Sequence, residues 1–377
     1  MKSLNTKDKE FYQRHLILDG FGIAAQQKLK SSSVLVVGAG GLGCPALQYL
    51  VSAGVGRVGI IDDDVVEMSN LQRQTLYFAD DLGKSKAETA AKKLAQHNPN
   101  VVIEPHCQRL KQQNITKIFD MYDVVVDGSD NFETRYLVND ACVILNKPLV
   151  FGAIFKFSGQ LSVFNFKNGP TYRCLFPNPP SAEALPPCEE AGVLGVLPGI
   201  IGSMQALEAI KIITGIGEVM SGRVLLFDAL GQKFNELKLS PVKKNQEIEV
   251  IEEMDPLTFC NHSEHSEVPE IIELSPRDFL EMYNSNPHIN VIDVRESWER
   301  DIEHIQPSLH IPLGDFFDST VADALPDELS ENIVVYCKAG VRSFDACRVL
   351  MELGYKKIYN LEGGMLRWNS ESMPLII

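Results

Sequence analysis

Two short stretches carry residue types that can do chemistry. In VVYCKAGVRS, Val334 to Ser343, an apolar run leads into Cys337, then Lys338, Gly340 and Arg342, and a helix-like segment starts at Ser343. At a strand-to-helix turn backbone N–H groups converge, and such a nest favours an anion. A thiolate there, or a persulfide built on it, is a usable nucleophile. Far earlier, GAGGLG (Gly38 to Gly43) follows one strand-like run and precedes a helical one. Glycines in that place let the backbone approach phosphate oxygens at a helix N-terminus. Asp62, at the end of the next strand, stands where an acid accepts from a ribose hydroxyl.

Taken alone, the glycine loop fits a nicotinamide dehydrogenase as well as an ATP enzyme. Its neighbours separate the two. IIDDDVVEMSNLQRQ places Asp62, Asp63 and Asp64 before a polar loop with Asn70, Gln72 and Arg73. GKSKAETAA sets Lys84 and Lys86 at a helix start, where a cation serves a bound anion better than it serves the helix dipole. VVVDGSDN puts Asp127 and Asp130 past the end of a strand, over the ligand crevice of an open parallel sheet. Acids with Arg and Lys close by suit Mg²⁺-assisted attack on a triphosphate, and hydride transfer has no use for them. Each charge singly reads equally well as a loop cap or a solvated face. The whole set in one crevice does not.

The elements that must position these groups are visible as alternating runs. SVLVVG, RVGIID and DVVVDG are β-branched strands, separated by the helical segments PALQYLVSAG and KSKAETAAKKLAQHN. That alternation predicts a Rossmann-like, mostly parallel sheet with helices on both faces. QLSVFNF and RVLLFDAL either extend this sheet or form an antiparallel part. A polar, aperiodic stretch then marks a linker at 246–269, dividing a domain at 1–245 from a small α/β domain at 270–377. The second domain reads SPRDFLEMY (helix), NVIDVRE, IVVYC and KKIYNLEGG (strands).

With 35 basic and 50 acidic residues the net charge is −15, which disfavours non-specific nucleic-acid binding. The apolar window GVLGVLPGIIGSMQAL is broken by glycines and a proline and reads as a buried element, so no membrane role is expected. MKSLNTKDKE lacks a signal-peptide core, and eight irregularly spaced cysteines suggest reduced thiols in the cytoplasm.

GAGGLGCPALQYLVSAGVG, SNLQRQ, DGSDN and CEEAGVLGVLPGIIGSMQALEAIK resemble the MoeB/ThiF group of ubiquitin-activating-like adenylyltransferases. The resemblance implies ATP with Mg²⁺. It puts Gly40 and Gly41 beneath the phosphates and Asp62 on the ribose, with Gly38, Gly43 and Asp64 completing the nucleotide set. Asn70, Arg73 and Lys86 would contact phosphate, and Asp130 would hold Mg²⁺. Arg14 matches an arginine that reaches the neighbouring subunit's ATP site, which implies a homodimer. Cys188, in PPCEEAGVLGV, matches a cysteine that can attack an acyl group on the carrier. Members of the group commonly hold zinc with two CxxC pairs. Here Thr171 precedes Cys174 in TYRC, and Ser240 and Lys243 occupy the second pair, so no structural zinc is expected. Cys260, His262 and His265 have ligand-type side chains at close spacing but no fourth ligand near them.

NVIDVRE, EHIQPSLHIPL, VVYCKAGVRS and NLEGGMLRW resemble a rhodanese domain, with Glu303 where a glycine usually stands. That resemblance implies a Cys337 persulfide wrapped by Lys338, Gly340, Arg342 and Ser343, with Asp293 and Arg295 serving structure. Together the two resemblances imply adenylation of the C-terminal Gly-Gly carboxylate of a ubiquitin-like sulfur carrier, then sulfur delivery to give a thiocarboxylate. The persulfide donor would be a cysteine desulfurase or thiosulfate. Molybdopterin, thiamine, tRNA and cysteine pathways all use such carriers, and the fused domain tilts the reading to molybdopterin. Two roles fit Cys188, an acyl thioester or cleavage of an acyl disulfide. An alternative is an activating enzyme that passes a Cys188 thioester to conjugation and leaves Cys337 accessory.

Overall fold

The computed structural model describes residues 2–177, 192–251, 271–286, 289–317, 325 and 332–376. Cys188 and the Cys260, His262 and His265 group lie outside them. The described residues form two compact units, one before residue 252 and one after 270.

In the first unit β1 (Ser33–Val37), β2 (Arg57–Ile61), β3 (Val102–His106), β4 (Val124–Asp127) and β5 (Leu149–Phe155) are parallel. β6 (Ser158–Phe164), β7 (Arg223–Asp228) and β8 (Lys233–Lys238) continue the sheet antiparallel, giving the order β3-β2-β1-β4-β5-β6-β7-β8. β1 and β4 are buried along their whole lengths, which is why both are unbroken Val/Leu-type runs rather than alternating ones. QLSVFNF and RVLLFDAL therefore do both things the sequence allowed: they extend the sheet and do so antiparallel.

The apolar window falls at the start of a helix, Val196–Thr214, long and apolar enough to cross a membrane by length and composition. Here it packs against the helix Gly43–Ala53 and against β5 and β6, burying Leu197, Ile201, Ala206 and Ala209. Strand order reverses between β1 and β4. At such a switch point an open parallel sheet leaves a crevice at the carboxyl ends of its strands.

The second unit is a parallel sheet of β9 (Ile272–Leu274), β10 (Asn290–Asp293), β11 (Leu309–His310), β12 (Asn332–Tyr336) and β13 (Lys357–Leu361), in the order β11-β10-β12-β13-β9. SPRDFLEMY forms the helix Pro276–Ser285, begun by Ser275, whose hydroxyl accepts from the Asp278 N–H, and by Pro276 in the first turn. The expected order of fold types, a Rossmann-like sheet and then a small α/β unit, is the one the chain adopts.

Candidate active sites

In the first unit the switch point opens into a cleft of about 300 Å³. The glycine loop forms one wall. Gly38 has φ +82°, and a Cβ on it would lie 3.0 Å from the Gly128 carbonyl. A Cβ on Gly43 would lie 1.9 Å from the Gly38 carbonyl. Gly43 is thus the packing residue where the helix meets its own loop. It does not line the cleft, whereas Gly38, Gly40 and Gly41 do.

Asp62 faces the loop from the end of β2. Its carboxylate accepts the Ala39 N–H (2.7 Å) and the Asp64 N–H (2.9 Å), which ties the glycine loop to the acidic turn. Burial pushes this carboxyl above its ordinary range in spite of those bonds and of Lys86. Lys86 is the first residue of the helix Lys86–His97, and its buried ammonium donates to the exposed Asp64 carboxylate at 2.9 Å. A cation is therefore held over a helix N-terminus by an acid at the cleft mouth.

Asn70, buried in a short 3₁₀ turn, accepts the Glu67 N–H, and Arg73 donates to the Ser69 carbonyl (3.0 Å). Both line the cleft, as do Asp63, Asp64, Lys86 and Asp130. Asp130 is exposed beyond β4 and meets only the Asn131 amide, at 3.4 Å, among the hydrogen bonds described. Asp127 lies beneath, fully buried, with one oxygen on the Ser129 N–H (2.9 Å) and burial raising its pKa.

The cleft thus brings together nearly the whole sequence-derived set. Arg14 is exposed on the short helix Gln13–Leu16 and does not line this cleft.

The sequence reading missed Arg135 and Gln74, both buried and both lining the cleft. Arg135 donates to the Ser129 carbonyl (3.2 Å). Its signal was present: Asn131 caps the helix Phe132–Ile144, and helical side chains lean toward the N-terminus, so a first-turn arginine reaches back over the strand ends. With Arg73, Lys86 and Arg135 against Asp62, Asp64 and Asp130, the cleft presents both charge signs. A polyanion that brings a hard cation satisfies both.

In the second unit Cys337 follows β12 and is completely buried. Its Sγ accepts from the Gly340 N–H (3.1 Å) and the Ser343 hydroxyl (3.4 Å). The helix begins at Val341, two residues before the apolar pattern suggested, with Gly340 as its N-cap. Lys338 is exposed.

Arg342, one of the residues expected to wrap the persulfide, is engaged by an acid. Both its terminal nitrogens donate to the Glu299 carboxylate (2.7 and 2.8 Å), so the acid already answers its charge. Asp293 and Arg295 form the expected structural pair: Arg295 Nη2 and the Tyr336 hydroxyl both donate to Asp293 Oδ2, at 2.8 and 2.9 Å.

At the position of the zinc pairs, Cys174 Sγ accepts the Thr171 N–H (3.4 Å) and the Val242 N–H (3.3 Å). Thr171 Oγ1 donates to the Asn245 carbonyl at 3.2 Å. The two segments meet through Val242 and Asn245, while Ser240 and Lys243 are exposed. Among the described residues no group of three or more His, Cys, Asp or Glu could hold a metal ion.

Comparison with known proteins matches these two units in the same order. The ThiF family model covers residues 12–248 and the Rhodanese-like domain model residues 275–371. Probable adenylyltransferase/sulfurtransferase MoeZ of Mycobacterium tuberculosis is 38% identical over 379 residues, 99% of this chain and 95% of that protein. Adenylyltransferase and sulfurtransferase MOCS3 of Drosophila yakuba is 41% identical over 386 residues, 98% of this chain and 85% of that protein. The crystal structure of E. coli MccB matches with a TM-score of 0.57 at 20% identity, over 70% of this chain and 77% of that one, a likeness of fold. Matched in both units and aligned almost end to end with these relatives, the chain belongs to the ThiF family, as an adenylyltransferase joined to a rhodanese-like sulfurtransferase domain.

Proposed function

We propose that the first unit adenylates the C-terminal Gly-Gly carboxylate of a ubiquitin-like sulfur carrier and that the second supplies sulfur from a Cys337 persulfide. The observation that carries this reading is the pairing, in one chain, of a cleft with both charge signs and a sulfur in a nest of donors.

A carboxylate oxygen is a poor leaving group, so it must be activated before sulfur can replace it. Gly40 and Gly41 lie beside the triphosphate, Asp62 takes a ribose hydroxyl, and Asn70, Arg73, Lys86 and Arg135 meet the charge that shifts onto pyrophosphate. The free face of Asp130 fits a hard divalent ion, and Mg²⁺ bound there would neutralise phosphate oxygens. Arg14 would complete the site of a partner subunit in a homodimer. At Cys337 the persulfide sulfur attacks the acyl-adenylate carbonyl, the carbon–oxygen bond to phosphate breaks, and AMP leaves with the electron pair. A thiolate, the role that suits Cys188, then attacks the Cys337 sulfur. The acyl disulfide's S–S bond breaks and the thiocarboxylate leaves with the electron pair. The new Cys188–Cys337 disulfide is reduced by an external thiol before the next turnover. The carrier is of the molybdopterin type, the persulfide comes from a cysteine desulfurase or thiosulfate, and the reaction is cytoplasmic. The Thr171, Cys174, Val242 and Asn245 contacts hold the two segments without zinc.

Carrier-dependent exchange of pyrophosphate into ATP tests the first step. Exchange that needs a Gly-Gly carrier and Mg²⁺ and disappears in Asp130→Ala supports the reading, and NAD binding without exchange contradicts it. A Cys188→Ala variant that still thiocarboxylates the carrier in full would remove the acyl-thioester reading in which Cys337 is accessory, and would also remove Cys188 as the thiol that cleaves the acyl disulfide.

A further inference from the structure

The donors around Cys337 belong to a loop that is itself held at three carbonyls. The Met365 N–H donates to the Cys337 carbonyl (2.9 Å) and the Leu366 N–H to the Lys338 carbonyl (3.0 Å). Gly364 permits that approach: a Cβ on it would lie 2.4 Å from the Cys337 carbonyl oxygen. The third tie comes from a side chain. Asn360 Nδ2, on β13, donates to the Gly340 carbonyl at 2.9 Å and also to Glu273 Oε1 (2.8 Å) and Oε2 (3.1 Å) on β9. All three neighbours are acceptors, so the amide must present its NH₂ end to them. Its own oxygen is buried and has no hydrogen-bond partner among the described residues. An uncompensated acceptor is costly, and a purely apolar packing position would be better filled by Leu or Val.

Gly340 is thereby gripped at both ends. Its N–H is on the sulfur and its carbonyl on Asn360, while its φ of +97° is one only glycine holds without strain. We infer that Asn360, oriented by Glu273, is a positioning residue for sulfur transfer, locking Gly340 so that its N–H stays aimed at the sulfur on Cys337. This rests on the reading of Cys337 as the sulfur carrier. In the loading step with thiosulfate, the thiolate attacks the outer sulfur, one S–S bond forms as the other breaks, and sulfite leaves with the electron pair. Charge then resides on the new terminal sulfur beside the donors. Asn360 touches neither the sulfur nor the Gly340 N–H; its contact is with the Gly340 carbonyl. It acts through Gly340.

The test is steady-state sulfur transfer from thiosulfate to cyanide by the full-length protein, with Cys337→Ser as control, Asn360→Ala as the main variant and Glu273→Ala as the second. Glu273 sits on an exposed edge strand, so its loss tests the relay even where Asn360→Ala does not fold. Asn360→Ala is expected to lower kcat about tenfold with KM for thiosulfate held within about twofold, since the lost donor acts on developing charge rather than on binding. Glu273→Ala is expected to lower kcat about threefold. An unchanged kcat in either soluble variant overturns the inference, and so does a rise in KM with a lower melting temperature, which marks a packing role. Wild type and Cys337→Ser turning over alike would instead refute Cys337 as the carrier, and the inference with it. That outcome is read before any Asn360 variant is compared.

Discussion

At the cleft and just beneath it, burial holds Asp62 and Asp127 above the ordinary carboxylate range, and neither Lys86 nor Arg135 brings them back. Under the Cys337 loop the balance is reversed. Burial pushes Asp293 and Glu299 upward as well, but hydrogen bonds from Arg295 and Arg342 outweigh it and both titrate low. The raised carboxyls of the first centre thus owe their shift to burial, which the cations beside them do not offset. The second centre pairs Asp293 and Glu299 with Arg295, Arg300 and Arg342, and it leaves backbone and hydroxyl donors for the sulfur. One site works with acids and cations set side by side, the other with dipoles aimed at a sulfur.

The sharpest way to break this contrast is to remove the atom each centre depends on. Cys337→Ala should abolish thiocarboxylate formation, a loss of at least about a thousandfold, while carrier-dependent ATP–pyrophosphate exchange persists. Asp130→Ala should do the reverse, lowering exchange by about 10²–10³ without changing thiosulfate–cyanide transfer. An effect of Cys337→Ala on exchange, or of Asp130→Ala on thiosulfate–cyanide transfer, would show that the centres are not separable.

The internal neutralisation of the second unit predicts a stability effect. Asp293→Ala leaves Arg295 and Arg300 without their shared acid. It should destabilise that unit by about 3–5 kcal/mol, read by chemical denaturation followed through Trp298 and Trp368.

The pH dependence follows with its sign. Asp293 and Glu299 have folded-state pKa values below their unfolded ones, so the unfolded chain binds more protons as acid is added. Their stabilisation is fully present above about pH 5, clear of the unfolded values, and is lost as pH falls through the folded values. Asp62 and Asp127, raised by burial, act in the opposite sense: their contribution is present below the ordinary carboxylate range and is lost as pH rises through their raised folded values. Melting of the second unit should therefore fall more steeply in acid for wild type than for Asp293→Asn.

The smallest expected effect is that of a chelator. Treatment with EDTA should leave the melting temperature of the first unit unchanged, and stoichiometric zinc in the purified protein would overturn the reading of the Thr171 and Cys174 contacts.

What was legible in the sequence was local. The glycine loop, the acidic turn and the Cys337 loop are each contiguous, so spacing alone places their groups, and the central strands announce themselves because both faces are buried. β3, with Pro105, and β8, KFNELK, are edge strands that bury little and therefore carry little apolar signal. The second kind of miss is long-range. Arg342 looked free to serve the sulfur because its partner, Glu299, lies 43 residues away and meets it only in the folded sheet. The Asn360 tie to Gly340 was hidden for the same reason.

The central claim is that one chain activates a carboxylate at the first centre and replaces its oxygen by sulfur from the second. Intact-mass spectrometry of candidate Gly-Gly carriers, incubated with the protein, Mg-ATP and thiosulfate, tests it most directly. The account predicts a gain of about 16 Da, sulfur for oxygen, with wild type and none with Cys337→Ala. The same gain with Cys337→Ala, or an adenylated carrier that never acquires sulfur with wild type, would contradict it.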